Sequence, residues 1–227
     1  MKGVPVIAID GPSGVGKGTV ARAVARRLGW HFLDSGSLYR ILALAAQKAG
    51  IAGQDEAAVA AMAPRLDIKF IVQADDNESI LVNGEQLASQ VRMEATGALA
   101  SVIAVHPKVR AALLQRQRAF RQAPGLVADG RDMGTVVFPD AGLKIFLDAS
   151  ADERARRRLI QLRKAGIEAN IAALREEIRE RDVRDRSRSV SPLKPADDAV
   201  TIDTTELSAE RVLARVEQLI EARAYAR

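Results

Sequence analysis

The 227-residue sequence has no cysteine, which excludes a disulfide framework, a thiolate metal site and a cysteine nucleophile. It has two histidines, His31 and His106, and neither has a partner at metal-ligand spacing. That weighs against histidine-dependent hydrolysis and a structural zinc. No apolar run approaches the roughly 18 residues that span a bilayer. The opening "MKGVPVIAID" enters an apolar segment directly, without the h-region and cleavage site of a signal peptide. A cytoplasmic protein without a membrane partner is expected, with no internal repeat. The chemistry left open is that of charge, positioning and a labile cation.

Against these absences stand 48% hydrophobic and 28% charged residues, the balance of a folded globular chain. The length suits one domain, or one domain carrying a lobe. The net charge of +5 and the pI near 9.8 are unevenly placed. Residues 154–188 hold twelve Lys and Arg against six Asp and Glu, and the remainder of the chain has a net charge of minus one. Such a window suits nucleic acid or a small polyanion. Its end, "RERDVRDRSR" (179–188), reads alone as a solvated helix, an RNA-binding tail or a grip for phosphates.

"VPVIAID" (4–10) is an unbroken, β-branched run, as in a parallel strand buried on both faces. A glycine-rich turn follows, then "KGTVARAVARRL" with Val20, Val24 and Leu28 at helical spacing and Gly29 as its stop. "WHFLD" (30–34) is a second strand, and residues 37–50 form a helix with Ser37 as expected N-cap. Residues 67–87 change character: "LDIKFIV" and "SILVNGEQL" carry a hairpin signal at Asn83-Gly84, predicting a small antiparallel inset. Helices are expected over about 94–105 and 107–122, then strands at 125–129, 143–148 and 199–203, with basic helices between the last two. A final helix runs from Ser208 to about Ala224. Five strands with helical crossovers predict a doubly wound α/β sheet.

"GPSGVGKGT" (Gly11, Pro12, Ser13, Gly14, Val15, Gly16, Lys17, Gly18, Thr19) fits G-x-x-x-x-G-K between a strand and a helix. Small residues let backbone N–H groups face a phosphate chain, the helix N-terminus adds partial positive charge, and Lys17 reaches the β/γ-phosphates. Gly18 stands where Ser or Thr normally ligates Mg²⁺. The cation is therefore expected on phosphate oxygens and water, with Thr19 bonding a phosphate and no direct protein ligand. "DSGSLYR" (34–40) lies at the ligand-binding edge of such a sheet. Ser35 and Arg40 read there as a second phosphate grip, or else as a plain cap with a surface arginine. In "LVADGRDMGTVVFPDA" (126–141) Asp129 is placed to hold a Mg²⁺-bound water, and Arg131 and Asp132 follow as site residues or as a structural pair. Ile171, Leu174 and Ile178 mark a buried helical stripe, and Arg181 and Asp185 fall back onto it with Arg188 at its margin. Charges on a core-facing stripe point to a wet, anionic cleft. The "RARRR" run (154–158) opens a helix either as lid arginines for a transferring phosphoryl group or as a solvated basic face. No N-K-x-D guanine motif occurs, which disfavours a GTPase.

"GKGT" is the version of the loop found in nucleoside monophosphate kinases. "GPSGVGKGT", "LDSGSLYR", "ADGRDMGTVVFPDA" and "RERDVRDRSR", in order, resemble the bacterial cytidylate kinase family over essentially the whole chain. The resemblance implies a single P-loop kinase domain: a five-stranded parallel sheet flanked by helices, an inserted acceptor lobe with a small antiparallel sheet, and a mobile lid. The core would be about 1–34, 125–153 and 190–227, the acceptor lobe 35–124 and the lid 154–189. It implies transfer of the γ-phosphate of ATP, with Mg²⁺, to CMP or dCMP. Ser101, Arg110 and Asp132 would then read cytosine, Arg40, Arg131 and Arg188 with Ser35 would hold the acceptor phosphate, and Arg181 and Asp185 the sugar. Lys17, Arg131, Asp129 and Arg188 would serve catalysis, and Arg157 would join the loop in binding ATP. A kinase for UMP, AMP or dTMP is the alternative. The expected partners are small molecules, with no nucleic acid, and the expected state is a monomer.

Overall fold

The computed structural model describes residues 3–72 and 78–223. Strand β1 (Val6–Asp10) is wholly buried, as its unbroken apolar run requires. It leads through the glycine loop into helix α1 (Lys17–Leu28), which ends at Gly29 with φ 65°. Strand β2 (His31–Asp34) passes directly into helix α2 (Ser35–Lys48). The expected cap at Ser37 is corrected: Asp34 caps the helix, accepting from Ser37 N at 3.0 Å and from Ser37 Oγ at 2.7 Å. The carboxylate reaches the third residue's N–H, so the helix begins three residues earlier than a Ser37 cap allows.

Helix α3 (Glu56–Met62), a 3₁₀ turn and strands β3 (Ile68–Val72), β4 (Glu78–Val82) and β5 (Glu85–Gln86) follow. The three strands form the antiparallel inset, turning at Asn83 and Gly84 with φ 52° and 83°, the left-handed pair that a two-residue hairpin needs. Part of this inset, residues 73–77, lies outside the described residues. Helices α4 (Ala88–Arg92), α5 (Glu94–Ile103) and α6 (Pro107–Ala119) return the chain to strand β6 (Leu126–Gly130). A π-helical turn (Met133–Val137), strand β7 (Leu143–Asp148), helices α7 (Ala151–Lys164) and α8 (Ile171–Arg186), strand β8 (Val200–Asp203) and helix α9 (Ala209–Ala222) complete the order. Ser208 caps α9 as expected, and its anticipated end near Ala224 lies outside the described residues.

The main sheet runs β2-β6-β1-β7-β8 and every pairing in it is parallel. Alternation along the strands splits the core in two. Val6, Ala8, Leu33, Leu126 and Ala128 face α2, α5 and α6, and Ile7, Ile9, Phe32, Val127, Leu143 and Ile145 face α1 and α9. The chain leaves β1 toward β2 on one side and later adds β7 on the other. The end of β1 is thus the point where strand order reverses, and ligands bind open α/β sheets at such a point.

The α7–α8 hairpin has only a small core of its own, Ala155, Leu162 and Leu174, with Leu159, Ala169 and Ile178 packed against it. Ile171, expected in the buried stripe, is exposed. It is the first residue of α8, beyond the reach of α7's apolar face. His31 and His106 both bond backbone carbonyls, those of Ala123 and Gly53, in keeping with structural positions.

Candidate active site

All five strands of the main sheet carry an aspartate at the C-terminal end, Asp10, Asp34, Asp129, Asp148 and Asp203, and most are engaged locally. Asp34 caps α2, Asp148 accepts from Ala149 N, and Asp203 accepts from Thr205 N and Oγ1. Asp10 is buried and takes the N–H groups of Met133 and Gly134, each at 2.8 Å. Sequence reasoning read Asp10 only as the end of a strand. Burial raises its pKa to about 7, against the two backbone bonds that lower it. Those bonds fix the turn that follows Arg131 and Asp132.

The loop after β1 is shaped by backbone. Gly11 has φ 146°, and a Cβ on it would meet Leu147 O at 2.0 Å, so no other residue fits. Gly16 caps α1 without a side chain, leaving the helix N-terminus bare for an anion. Lys17 is buried and donates to Pro12 O at 2.7 Å. Burial and the Arg131 guanidinium push its pKa well down, and Asp129 and Asp10 oppose them. Asp129 is pushed up, chiefly by burial, with Lys17 pulling it back and Asp34 raising it further. A Cβ on Gly18 would sit 3.3 Å from Asp129 Oδ2, so this carboxylate lies on the side of the loop where the usual hydroxyl would be. Asp34 pairs with Asp129 in the register of β2 and β6. Two hard carboxylates beside a phosphate loop fit a Mg²⁺ held through water.

Beside the loop opens a cleft of about 440 Å³, its open mouth included, lined by Ser35, Tyr39, Ser101, Arg110, Arg131, Asp132, Arg181, Asp185 and Arg188 among others. It brings together every expected acceptor residue except Arg40. The charged residues are mostly held by one another. At one end Arg110 pairs with Asp132, bonds Ala104 O at 3.1 Å and lies 5.6 Å above the Tyr39 ring. At the other, buried Asp185 holds Arg131, at 3.2 Å, and Arg188. Burial, with the guanidinia of Arg110 and Arg131, brings Arg188 down to about 10. Four arginines and two aspartates line the cleft. The excess of two positive charges matches a phosphate monoester dianion.

Arg40 lines a neighbouring cavity of about 560 Å³ with Ser13, Gly14, Arg154, Arg158 and Arg181. Its guanidinium bonds the carbonyls of Val91 and Met93 and passes over Gly97, where a Cβ would lie 2.6 Å from it. Arg181 lines both cavities, so the two meet there. Arg157, expected at ATP, lines neither. It donates to Val15 O, Thr204 O and Leu207 O and ties the loop to the chain after β8.

The "RARRR" run divides by position. Arg154 is buried and bonds Ala149 O, Ser13 O and Asp182, joining β7, the loop and α8. Arg156 is exposed against Glu153, and Arg158 lines the second cavity. Gln117, unremarked in the sequence, donates to Ser35 Oγ at 2.8 Å. Arg184, one turn of α8 beyond Arg181, reaches Ser101 Oγ at 3.3 Å.

The profile of the family described as cytidylate kinase matches residues 7–222. The chain belongs to the cytidylate kinase family. It is 58% identical over 217 residues to the cytidylate kinase of Stutzerimonas stutzeri, covering 95% of both chains. It is 59% identical over 211 residues to that of Pseudomonas aeruginosa strain UCBPP-PA14, covering 92% of both. Among solved structures, an uncharacterised protein from Eubacterium ventriosum superposes with a TM-score of 0.51 at 10% identity, over 96% of this chain and 99% of the other. That likeness concerns the fold alone. The motifs from which the cytidylate kinase family was expected thus lie inside one continuous family match, and the loop and both cavities lie within it.

Proposed function

We propose that this chain transfers the γ-phosphate of ATP to CMP or dCMP, giving ADP and CDP or dCDP. The observation that carries this reading is the cleft beside the phosphate loop, with a surplus of two positive charges and the Arg110–Asp132 pair at one end, in a member of the cytidylate kinase family. Phosphoryl transfer asks for in-line placement and charge compensation more than covalent help, which suits a chain without cysteine.

ATP lies on residues 11–19, its phosphates against the loop's N–H groups and Lys17. Asp129 would hold Mg²⁺ through a water, and the cation would offset the charge of the phosphates. The acceptor phosphate lies between Arg131 and Arg188, near Ser35, with the sugar toward Arg181 and Asp185 and the base toward Ser101, Arg110 and Asp132. Asp132 accepts from the amino group of cytosine, which uracil lacks, and this disfavours the alternative of UMP. Arg40, in the adjoining cavity, faces the transferring group together with Arg158 and Arg181. No general base is needed, because the attacking phosphate oxygen is already ionised.

The core, acceptor lobe and lid divide as the family pattern suggests, about 1–34, 125–153 and 190–227 for the core, 35–124 for the lobe and 154–189 for the lid. The lid's small separate core favours its moving as a unit. The protein works as a cytoplasmic monomer on small molecules. Among the described residues no single helix is long and apolar enough to cross a membrane. A coupled assay with ATP over a panel of ribo- and deoxyribonucleoside monophosphates tests the reading. CMP and dCMP should give the highest kcat/KM, and a preference for AMP, UMP or dTMP would overturn it.

A further inference from the structure

Gly18 is the second residue of α1, and the space beside it is bounded by two opposite charges. A Cβ there would lie 3.3 Å from Asp129 Oδ2 and 3.3 Å from Arg22 Nη1. Arg22 is one turn further along α1, on the same helix face. Helical side chains lean back toward the N-terminus. This one brings a guanidinium to the side of the loop where the usual hydroxyl would be.

Asp129 is buried. Burial and Asp34 work against its charge, while Lys17, Arg131 and Arg22 favour it. Lys17 also donates to Pro12 O and Arg131 to Asp185, so these two belong to the loop and the cleft. Arg22 reaches Asp129 from α1, half-buried on a long stem, and its charge can withdraw without unmaking either. A hydrated divalent cation and a guanidinium compete for such a carboxylate, because like charges repel at that range.

We infer that Arg22 is the counter-ion of Asp129 in the nucleotide-free protein, and that a divalent cation reaches this carboxylate only as the guanidinium withdraws. Arg22 thereby keeps Asp129 from collecting a cation ahead of the phosphates, so that metal and nucleotide enter together. The inference rests on the reading of residues 11–19 as the seat of ATP with Mg²⁺, which the monophosphate panel tests separately.

The test uses Mn²⁺ alone as the probe, an ion with the same preference for oxygen ligands. Electron paramagnetic resonance measures its binding to the nucleotide-free wild type, Arg22→Gln, Asp129→Asn and the double variant. Arg22→Gln should bind Mn²⁺ about tenfold more tightly than the wild type. In the Asp129→Asn background the same change should alter the affinity by less than about twofold. Thermal melts give a second readout: MgCl₂ should raise the melting temperature of Arg22→Gln, and should leave the wild type where NaCl of equal ionic strength leaves it. Unchanged Mn²⁺ affinity in Arg22→Gln would overturn the inference, leaving Arg22 as a structural counter-ion. So would a gain that survives Asp129→Asn, or an Arg22→Gln protein that fails to fold even with MgCl₂. A wild type that transfers nothing from ATP in the panel would overturn the reading of the loop, and this inference with it. If the wild type does use ATP and Arg22→Gln gains no Mn²⁺ affinity, the inference alone fails.

Discussion

The phosphate loop and the acceptor cleft adjoin but are built from different parts. The loop is backbone: glycines at positive φ, a bare helix N-terminus and one lysine. The cleft is side chain: arginines and aspartates from α6, the turn after β6, α8 and the residues just past it, paired so that no buried charge stands alone. A backbone site is contiguous in sequence and depends little on any one side chain apart from Lys17. A side-chain site is assembled from distant segments, and each member depends on its partner.

The largest effect expected from that contrast is at the loop's one essential side chain. Lys17→Met should lower kcat by about 10³-fold or more without lowering the melting temperature, because the lysine is buried at a cost to its charge. Near-normal turnover would remove the loop from the mechanism. In the cleft, Asp185→Asn should lower kcat/KM for CMP about 100-fold and destabilise the fold by about 3 kcal/mol, because two buried guanidinia lose their counterion. KM for ATP should hold. Asp132→Ala should erase the preference for CMP over UMP, about tenfold or more, and a variant that keeps the preference would disprove base reading by Asp132.

A pH-dependent effect concerns Asp10, whose carboxylate at the end of β1 holds the turn after Asp132. Asp10 has a folded pKa of about 7 against the usual 3.8. An acid raised on folding stabilises the protein below its unfolded pKa and loses that contribution as pH rises through the folded one. Stability should therefore fall by up to about 4 kcal/mol between about pH 4 and pH 8, and Asp10→Asn should flatten the slope in denaturant titrations. The smallest effect is at Ser13→Ala. It should change kcat/KM less than about threefold, because the loop grips through N–H groups, and a larger loss would blur the distinction between the two regions.

The same contrast explains what the sequence made legible. The loop could be read in full because strand, glycines and lysine are adjacent. Helical spacing turned Arg181, Asp185 and Arg188 toward an anionic cleft and the end of a strand brought in Arg131 and Asp132, but their separate roles came only through family motifs, and their pairing was hidden. Nothing near Ser35 announces Gln117, and nothing in "RARRR" separates buried Arg154 from exposed Arg156. Those distinctions arise from which way α6 and α7 face once packed. The buried stripe of α8 was half legible: Leu174 meets α7, while Ile171 precedes the contact. The sequence favours Ser37 over Asp34 as the cap because a strand that passes directly into a helix leaves no loop residues to mark the boundary.

Asp185 gives Arg131 and Arg188 a permanent internal anion. On the proposed reading, a phosphate that enters shares both guanidinia with a carboxylate that never leaves. The ceiling this sets on affinity acts on the product as much as on the substrate. A nucleoside diphosphate bound there would be held less tightly than by four unopposed arginines.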